Sequence, residues 1–193
     1  MDRIKPFEPL FGEWYAESFI GAGSFGRVYK IYKESFGRRF YSALKYISVP
    51  ADSSETVQHR LNGMDNASIA TYYEATTKGI SDEIELMYKL RGSANIVIFE
   101  DSAILPKKDG MGYDILIRME LLTCLTDRML NNAIDTDEVL KVGTDICSAL
   151  AACKKQGVIH RDVKPENIFV SDSGDYKLGD FGIAVSSRRP RPS

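Results

Sequence analysis

Between His160 and Gly182 the chain reads HRDVKPENIFVSDSGDYKLGDFG, and four side chains there are of types that do phosphate chemistry. An aspartate such as Asp162 can orient a hydroxyl nucleophile and accept its proton. Asn167 and Asp180 offer the hard oxygen ligands that Mg²⁺ takes alongside phosphate oxygens. Lys164 can offset phosphate charge. Upstream, Gly21-Ala22-Gly23-Ser24-Phe25-Gly26-Arg27-Val28 is a GxGxxGxV run. Its glycines permit a tight reversal and put no Cβ between the backbone and a phosphate oxygen. Alone, that run also fits a dinucleotide-binding loop or a purely structural hairpin. A dinucleotide loop opens a helix, whereas here VYKIYK continues as a strand. Lys45, ending Ala43-Leu44-Lys45, is either a phosphate-neutralising cation or a surface lysine on an edge strand.

Together, His160-Arg161-Asp162, then Asn167, then Asp180-Phe181-Gly182 resemble the catalytic and magnesium loops of eukaryotic-type (Hanks-type) protein kinases. The resemblance runs from about Trp14 to about Ala184. It implies ATP and Mg²⁺ as cofactors. Gly21, Ala22, Gly23, Ser24, Phe25 and Gly26 would cover the phosphates. Lys45 would neutralise the α- and β-phosphates, held by Glu83 on the next helix, with Glu85 as the runner-up. Val28 and Ala43 above and Phe169 below would sandwich the adenine, and Met119, Glu120 and Leu122 belong to the hinge stretch that receives it. Asp162 would orient the hydroxyl, Lys164 would offset γ-phosphoryl charge, and Asn167 and Asp180 would hold Mg²⁺. His160 and Phe181 would stack in a column through Met87 and Phe99. Asp-x-Lys-Pro-Glu-Asn resembles serine/threonine kinases, whereas kinases of the aminoglycoside type typically show HGD. The implied function is ATP-dependent phosphoryl transfer to serine and threonine hydroxyls of protein substrates. The alternative is a catalytically silent nucleotide-binding or interaction module derived from a kinase.

The elements that must position these residues follow from pattern. Residues 1–13 read as an irregular lead-in interrupted by Pro6 and Pro9. Three strand-like runs lie between Trp14 and Ile47, separated by Gly21–Gly26 and Glu34–Gly37. Pro50 to Asn66 is polar and without periodicity, and His59 within it reads as solvated. A helix follows to about Leu90, with Ile80, Ile84, Met87 and Leu90 on one face. Two strands flank the turn signal KKDG at 107–110. Asp135 predicts an N-cap, with Glu138 three residues on, for a helix reaching about Gln156. Its apolar positions are Val139, Val142, Ile146, Ala149, Leu150 and Cys153. Ile168–Val170 and Tyr176–Leu178 form a second hairpin.

That order predicts an α+β fold: a complete small lobe and hinge over 14–122, with an antiparallel sheet and one main helix, and part of a mainly helical large lobe over 123–184. Residues 185–193 are expected to be a disordered basic tail. Kinase domains need about 250 residues, so the chain is expected to stop after the DFG motif, truncated within the large lobe.

Of 193 residues, 44% are hydrophobic and 27% charged, which fits a globular protein, and the net charge of −2 gives no general attraction to nucleic acid or anionic membrane. No apolar run approaches the ~18–20 residues of a membrane span, and charges and prolines occupy the place of a signal peptide's apolar stretch. Cys124, Cys147 and Cys153 have no metal-like spacing, and the two on the helix read as buried free thiols. A reducing cytoplasm is the expected location.

Overall fold

Alternating β-branched and aromatic residues drive the first part of the chain into a five-stranded sheet. The computed structural model describes residues 3–23, 26–108, 110–131, 134–182 and 185–186. Ser24, Phe25, Asp109 of the KKDG turn, Ala184 and residues 187–193 of the basic tail lie outside the described residues. The fold is α+β, and its contacts divide into two compact units: residues 1–84 with 100–121, and residues 85–99 with 122–193.

In the first unit, β1 (Tyr15–Gly23), β2 (Gly26–Ser35) and β3 (Arg38–Val49) form an antiparallel meander. Two helices follow, α1 (Ser53–Leu61) and α2 (Asn66–Lys89), then β4 (Phe99–Pro106) and β5 (Tyr113–Met119), with the end of α2 from Glu85 and Phe99 counted in the second unit, and the strand order is β1-β2-β3-β5-β4. Register divides the sheet's faces, because directly paired residues share a side and neighbours along a strand alternate. Val28 pairs with Lys45, Lys45 with Ile117, and Ala43 with Met119, so Val28, Ala43, Lys45, Ile117 and Met119 share one face.

Tyr29, Ile31, Leu44, Tyr46 and Leu116 lie on the other face, in one buried cluster with Ile4, Leu10 and Trp14. The segment read as an irregular lead-in therefore belongs to the core. It carries a 3-10 turn at Lys5–Phe7, and hydrophobic burial of Ile4, Leu10 and Trp14 holds it on the sheet. The Arg118 guanidinium covers the Trp14 ring at 4.6 Å and bonds Glu100 at 2.8 Å. Glu100 also accepts from the buried Ser42 hydroxyl at 2.8 Å.

The polar stretch after Pro50 carries a helix, α1. Asp52 caps α1 by accepting the Ser54 N–H at 2.8 Å, a local signal without apolar periodicity. His59, expected to be solvated, instead packs its ring against Tyr72 (4.8 Å) and Tyr73 (5.9 Å) of α2. Along α2, Ile69, Tyr73, Thr77 and Glu83 are buried at helical spacing.

The second unit contains β6 (Thr123–Cys124), α3 (Leu125–Asn131), α4 (Thr136–Lys155), β7 (Val158–Ile159), β8 (Ile168–Val170), β9 (Tyr176–Leu178) and β10 (Val185–Ser186). Asp135 caps α4 by accepting the Glu138 N–H at 2.8 Å, and Gly157 exits it at φ +70°. Glu138 pairs with Arg128 and accepts a hydrogen bond from the Tyr176 hydroxyl, tying α4 to α3 and β9. Ile146, Ala149 and Cys153 are buried, while Val139, Leu140 and Leu150 carry exposed apolar surface. Cys147, expected to be buried, is exposed, because the buried stripe runs through its neighbour Ile146. Val185 and Ser186, assigned by sequence to a disordered tail, instead pair antiparallel with Ile159 and Val158 through backbone hydrogen bonds that side-chain pattern does not encode. Among the described residues no helix is long and apolar enough to cross a membrane.

Candidate active site

The glycine run straddles the β1–β2 reversal, with Gly21 opposite Val28, Ala22 opposite Arg27 and Gly23 opposite Gly26. Gly26 has φ +143°, and a Cβ there would lie 2.5 Å from the Tyr46 carbonyl oxygen. Only glycine fits that approach of β2 to β3. At Gly21 a Cβ would meet nothing within 4 Å, so that position is open on its own side.

Lys45 projects from the central strand β3, from the face it shares with Val28, Ala43 and Met119. Its Nζ lies 3.7 Å from Glu83 Oε1, with side-chain exposures of 12% and 8%. Glu83 can reach it because it lies on the buried stripe of α2. Glu85, two positions on, is exposed and pairs with Lys89 at 2.5 Å. Helical geometry puts the two glutamates on different faces. The reading of Lys45 as a surface residue on an edge strand does not hold, since β3 is paired on both sides and Lys45 is nearly covered. Glu120, next along from Met119 in the first unit, is half-buried.

In the second unit, β7 delivers His160 into the interior at 2% exposure. The Asp162 backbone N–H donates to His160 Nδ1 at 3.3 Å, and His160 Nε2 meets the Gly179 carbonyl at 2.9 Å. Nδ1 is thus the acceptor and Nε2–H the donor, which defines a neutral imidazole. Burial pushes its pKa below the usual 6.5. The His160 ring meets the Phe181 ring edge-on at 4.8 Å, and Met87 and Phe99 are buried in the same unit.

Asp162 is held by two donors on one oxygen. Lys164 Nζ lies 2.8 Å from Asp162 Oδ2, and Asn167 Nδ2 donates to the same oxygen at 2.9 Å. Asn167 Nδ2 also donates to the Asp162 carbonyl at 2.9 Å. The Lys164 ammonium, then the Asn167 amide, hold the Asp162 carboxyl below its usual 3.8. Asp162 Oδ1 remains to accept a further hydrogen bond. With both contacts of its NH₂ going to Asp162, buried Asn167 presents Oδ1 as its remaining acceptor.

Backbone bonds bring Asp180 to this cluster: the Gly179 N–H donates to the Asn167 carbonyl at 2.9 Å, and Asp180 follows directly. Arg161 and Asp180 both have left-handed backbones, at φ +69° and +55°. Such conformations cost on the order of 1–3 kcal/mol and persist where surrounding contacts impose them. An Asn oxygen and a carboxylate suit Mg²⁺, which binds through few protein oxygens plus phosphate and water. Among the described residues no cluster of three or more His, Cys, Asp or Glu forms a self-sufficient metal cage.

Phe169 lies on β8 opposite Lys177, and half-buried Leu122 opens the second unit's longer segment. Pattern reading passed over Gly179. Its carbonyl receives His160, its N–H bonds Asn167, and a Cβ there would lie 2.8 Å from Val97 and 2.9 Å from Phe169. The available signal was a glycine immediately before Asp180.

The family model described as "Protein kinase domain" matches residues 14–192. Among curated proteins, the chain is 28% identical over 176 residues to serine/threonine-protein kinase AKL1 of Saccharomyces cerevisiae, covering 86% of this chain and 15% of that protein. It is 33% identical over 176 residues to serine/threonine-protein kinase 36 of Pongo abelii, covering 89% and 11%. Sperm motility kinase Z of Mus musculus is 27% identical over 178 residues, covering 89% and 34%. The chain spans about a third or less of the length of these relatives.

Proposed function

The chain belongs to the protein kinase domain family, and on that premise we propose that it serves ATP-dependent phosphoryl transfer to serine and threonine hydroxyls of protein substrates. The observation that carries the proposal is the double hold on Asp162 Oδ2 by Lys164 and Asn167. That hold turns Asp162 Oδ1 into a fixed acceptor for a substrate hydroxyl. A carboxylate with a lowered pKa is a weak base. It orients the hydroxyl as an ionised acceptor and takes the proton late, once the oxygen bonds to phosphorus, in keeping with a loose transition state.

Lys164 offsets charge on the phosphoryl oxygens while it anchors Asp162. Lys45, aligned by Glu83, neutralises the α- and β-phosphates, and the backbone at Gly21, Gly23 and Gly26 covers them. Val28, Ala43 and Phe169 flank the adenine, and the main chain at Met119, Glu120 and Leu122 receives its edge. Asn167 Oδ1 and the Asp180 carboxylate would hold Mg²⁺, whose chemistry there is to neutralise phosphate charge. Lys164 with Pro165-Glu166-Asn167 favours serine and threonine over tyrosine acceptors. Three free cysteines and no disulfide among the described residues support a reducing cytoplasmic setting.

A peptide array with serine, threonine or tyrosine acceptors, incubated with radiolabelled ATP and Mg²⁺, tests this on the protein that carries these residues. Label should enter serine and threonine peptides only and vanish in Asp162→Asn. Mg-ATP binding without any transfer would replace the proposal with a silent nucleotide-binding module.

A further inference from the structure

The first unit gathers positive charge at a second place, on the sheet face opposite Lys45. A cavity of about 810 Å³ opens between the lead-in, the end of β3, α1 and the β4–β5 turn, and Arg3, Arg60 and Lys107 line it. Tyr46 and Ser48 on its wall alternate with Lys45 along β3, which places the cavity on the other side of the sheet.

The three cations converge through uncharged partners. Arg3 donates to the Ala51 carbonyl at 3.3 Å, and Lys107 Nζ to the adjacent Pro50 carbonyl at 2.9 Å. Arg60 donates to Asn66 Oδ1 at 3.2 Å and reaches Met111 Sδ, in the turn that carries Lys107, at 3.9 Å. Among the described residues none of the three forms a salt bridge. The wall's two carboxylates already have partners: Asp52 caps α1 through Ser54, and Asp114 accepts from the Tyr46 hydroxyl at 2.7 Å. Each cation keeps N–H donors that its neutral partner does not use.

Gly112 has φ +103°, and a Cβ there would lie 1.9 Å from the Val49 carbonyl oxygen, so the β4–β5 turn sits directly on the end of β3. Cations from three separate segments, none held in a salt bridge, match an oxyanion that can accept several charge-assisted hydrogen bonds at once. Pro6, Val57 and Met111 add apolar wall, which suits a phosphate carried on a peptide better than a bare ion. The concave form suits a segment entering it better than a flat membrane surface.

We propose that this cavity binds a phosphate monoester carried on a peptide, a phosphoserine or phosphothreonine segment of a partner chain. Titration calorimetry with acetyl-Ala-Pro-phosphoserine-Val-Ala-amide and its unphosphorylated form tests it on the full chain. Only the phosphorylated peptide should bind. Arg60→Gln and Lys107→Gln should each weaken it by about tenfold or more, the scale of one charge-assisted hydrogen bond. Lys107→Arg, which keeps the charge, should retain binding, and Lys45→Ala should not affect it. Circular dichroism melts confirm that the variants are folded. Equal binding of both peptides overturns the proposal. So does loss in Lys45→Ala with retention in Arg60→Gln, which would move the phosphate to the nucleotide site. Sedimentation with phosphatidylserine vesicles that is lost in Arg60→Gln, with no peptide binding, overturns it in favour of a membrane surface.

Discussion

Removing the charge of Glu83 tests whether its contact with Lys45 holds the first unit together, serves nucleotide, or does both. The two charges lie 3.7 Å apart with most of both side chains covered. At that distance their attraction is about 4 kcal/mol at an effective dielectric of about 20. Glu83→Gln forfeits this but relieves the carboxylate's desolvation. Removing one partner of a buried pair typically costs about 3–5 kcal/mol. Lys45 has further interactions, so a loss of about 2–3 kcal/mol is expected, at or below the low end of that range. Replacing both partners with apolar residues, Lys45→Met with Glu83→Leu, should be near neutral, because no uncompensated charge stays buried. Trp14 is the chain's single tryptophan and lies 4% exposed in the first unit's core, so its fluorescence during urea denaturation reports this unit. The cycle of Lys45→Met, Glu83→Leu and their combination should give a coupling of at least about 1.5 kcal/mol, and a value below about 0.5 kcal/mol would refute the pairing argument. Calorimetry then separates the roles. The stable double variant should still bind Mg-ATP poorly, and wild-type affinity in it would remove Lys45 from the phosphate site.

Three other outcomes follow from the same geometry. The unfolded chain takes up a proton on His160 near pH 6.5 while the folded chain resists it, so stability is complete above 6.5 and falls as pH drops below it. Melting between roughly pH 5 and 7 should show this slope, and His160→Gln should flatten it. Asp162 contributes stability above its usual 3.8 that is lost as pH falls through its lowered value, and an NMR titration of Lys164→Ala should show the midpoint moving up towards 3.8. Gly26→Ala should destabilise the first unit by about 1–3 kcal/mol in urea denaturation, while Gly21→Ala, with nothing within 4 Å, should stay close to wild type.

Local chemistry made much of this protein legible before its coordinates. The strands around the glycine run, the Asp135 cap and the order of elements all depend on neighbours within a few residues. Spacing also singled out Asp162, Lys164, Asn167 and Asp180, because the loop that carries them is short. Glu83 was separable from Glu85 by counting along a helix, since 3.6 residues per turn puts them on different faces. What escaped pattern depends on partners distant in sequence. Nothing periodic marks residues 3–14 as core, since Ile4, Leu10 and Trp14 become a surface only when Tyr29, Leu44 and Leu116 lie opposite them. His59 looked solvated because its aromatic neighbours, Tyr72 and Tyr73, meet it only when α1 folds back along α2. The tautomer of His160, the choice of Oδ2 rather than Oδ1 on Asp162, and the left-handed turns at Arg161 and Asp180 are matters of hydrogen-bond direction. Residue types state which groups can donate or accept, but only the folded backbone decides where each one points.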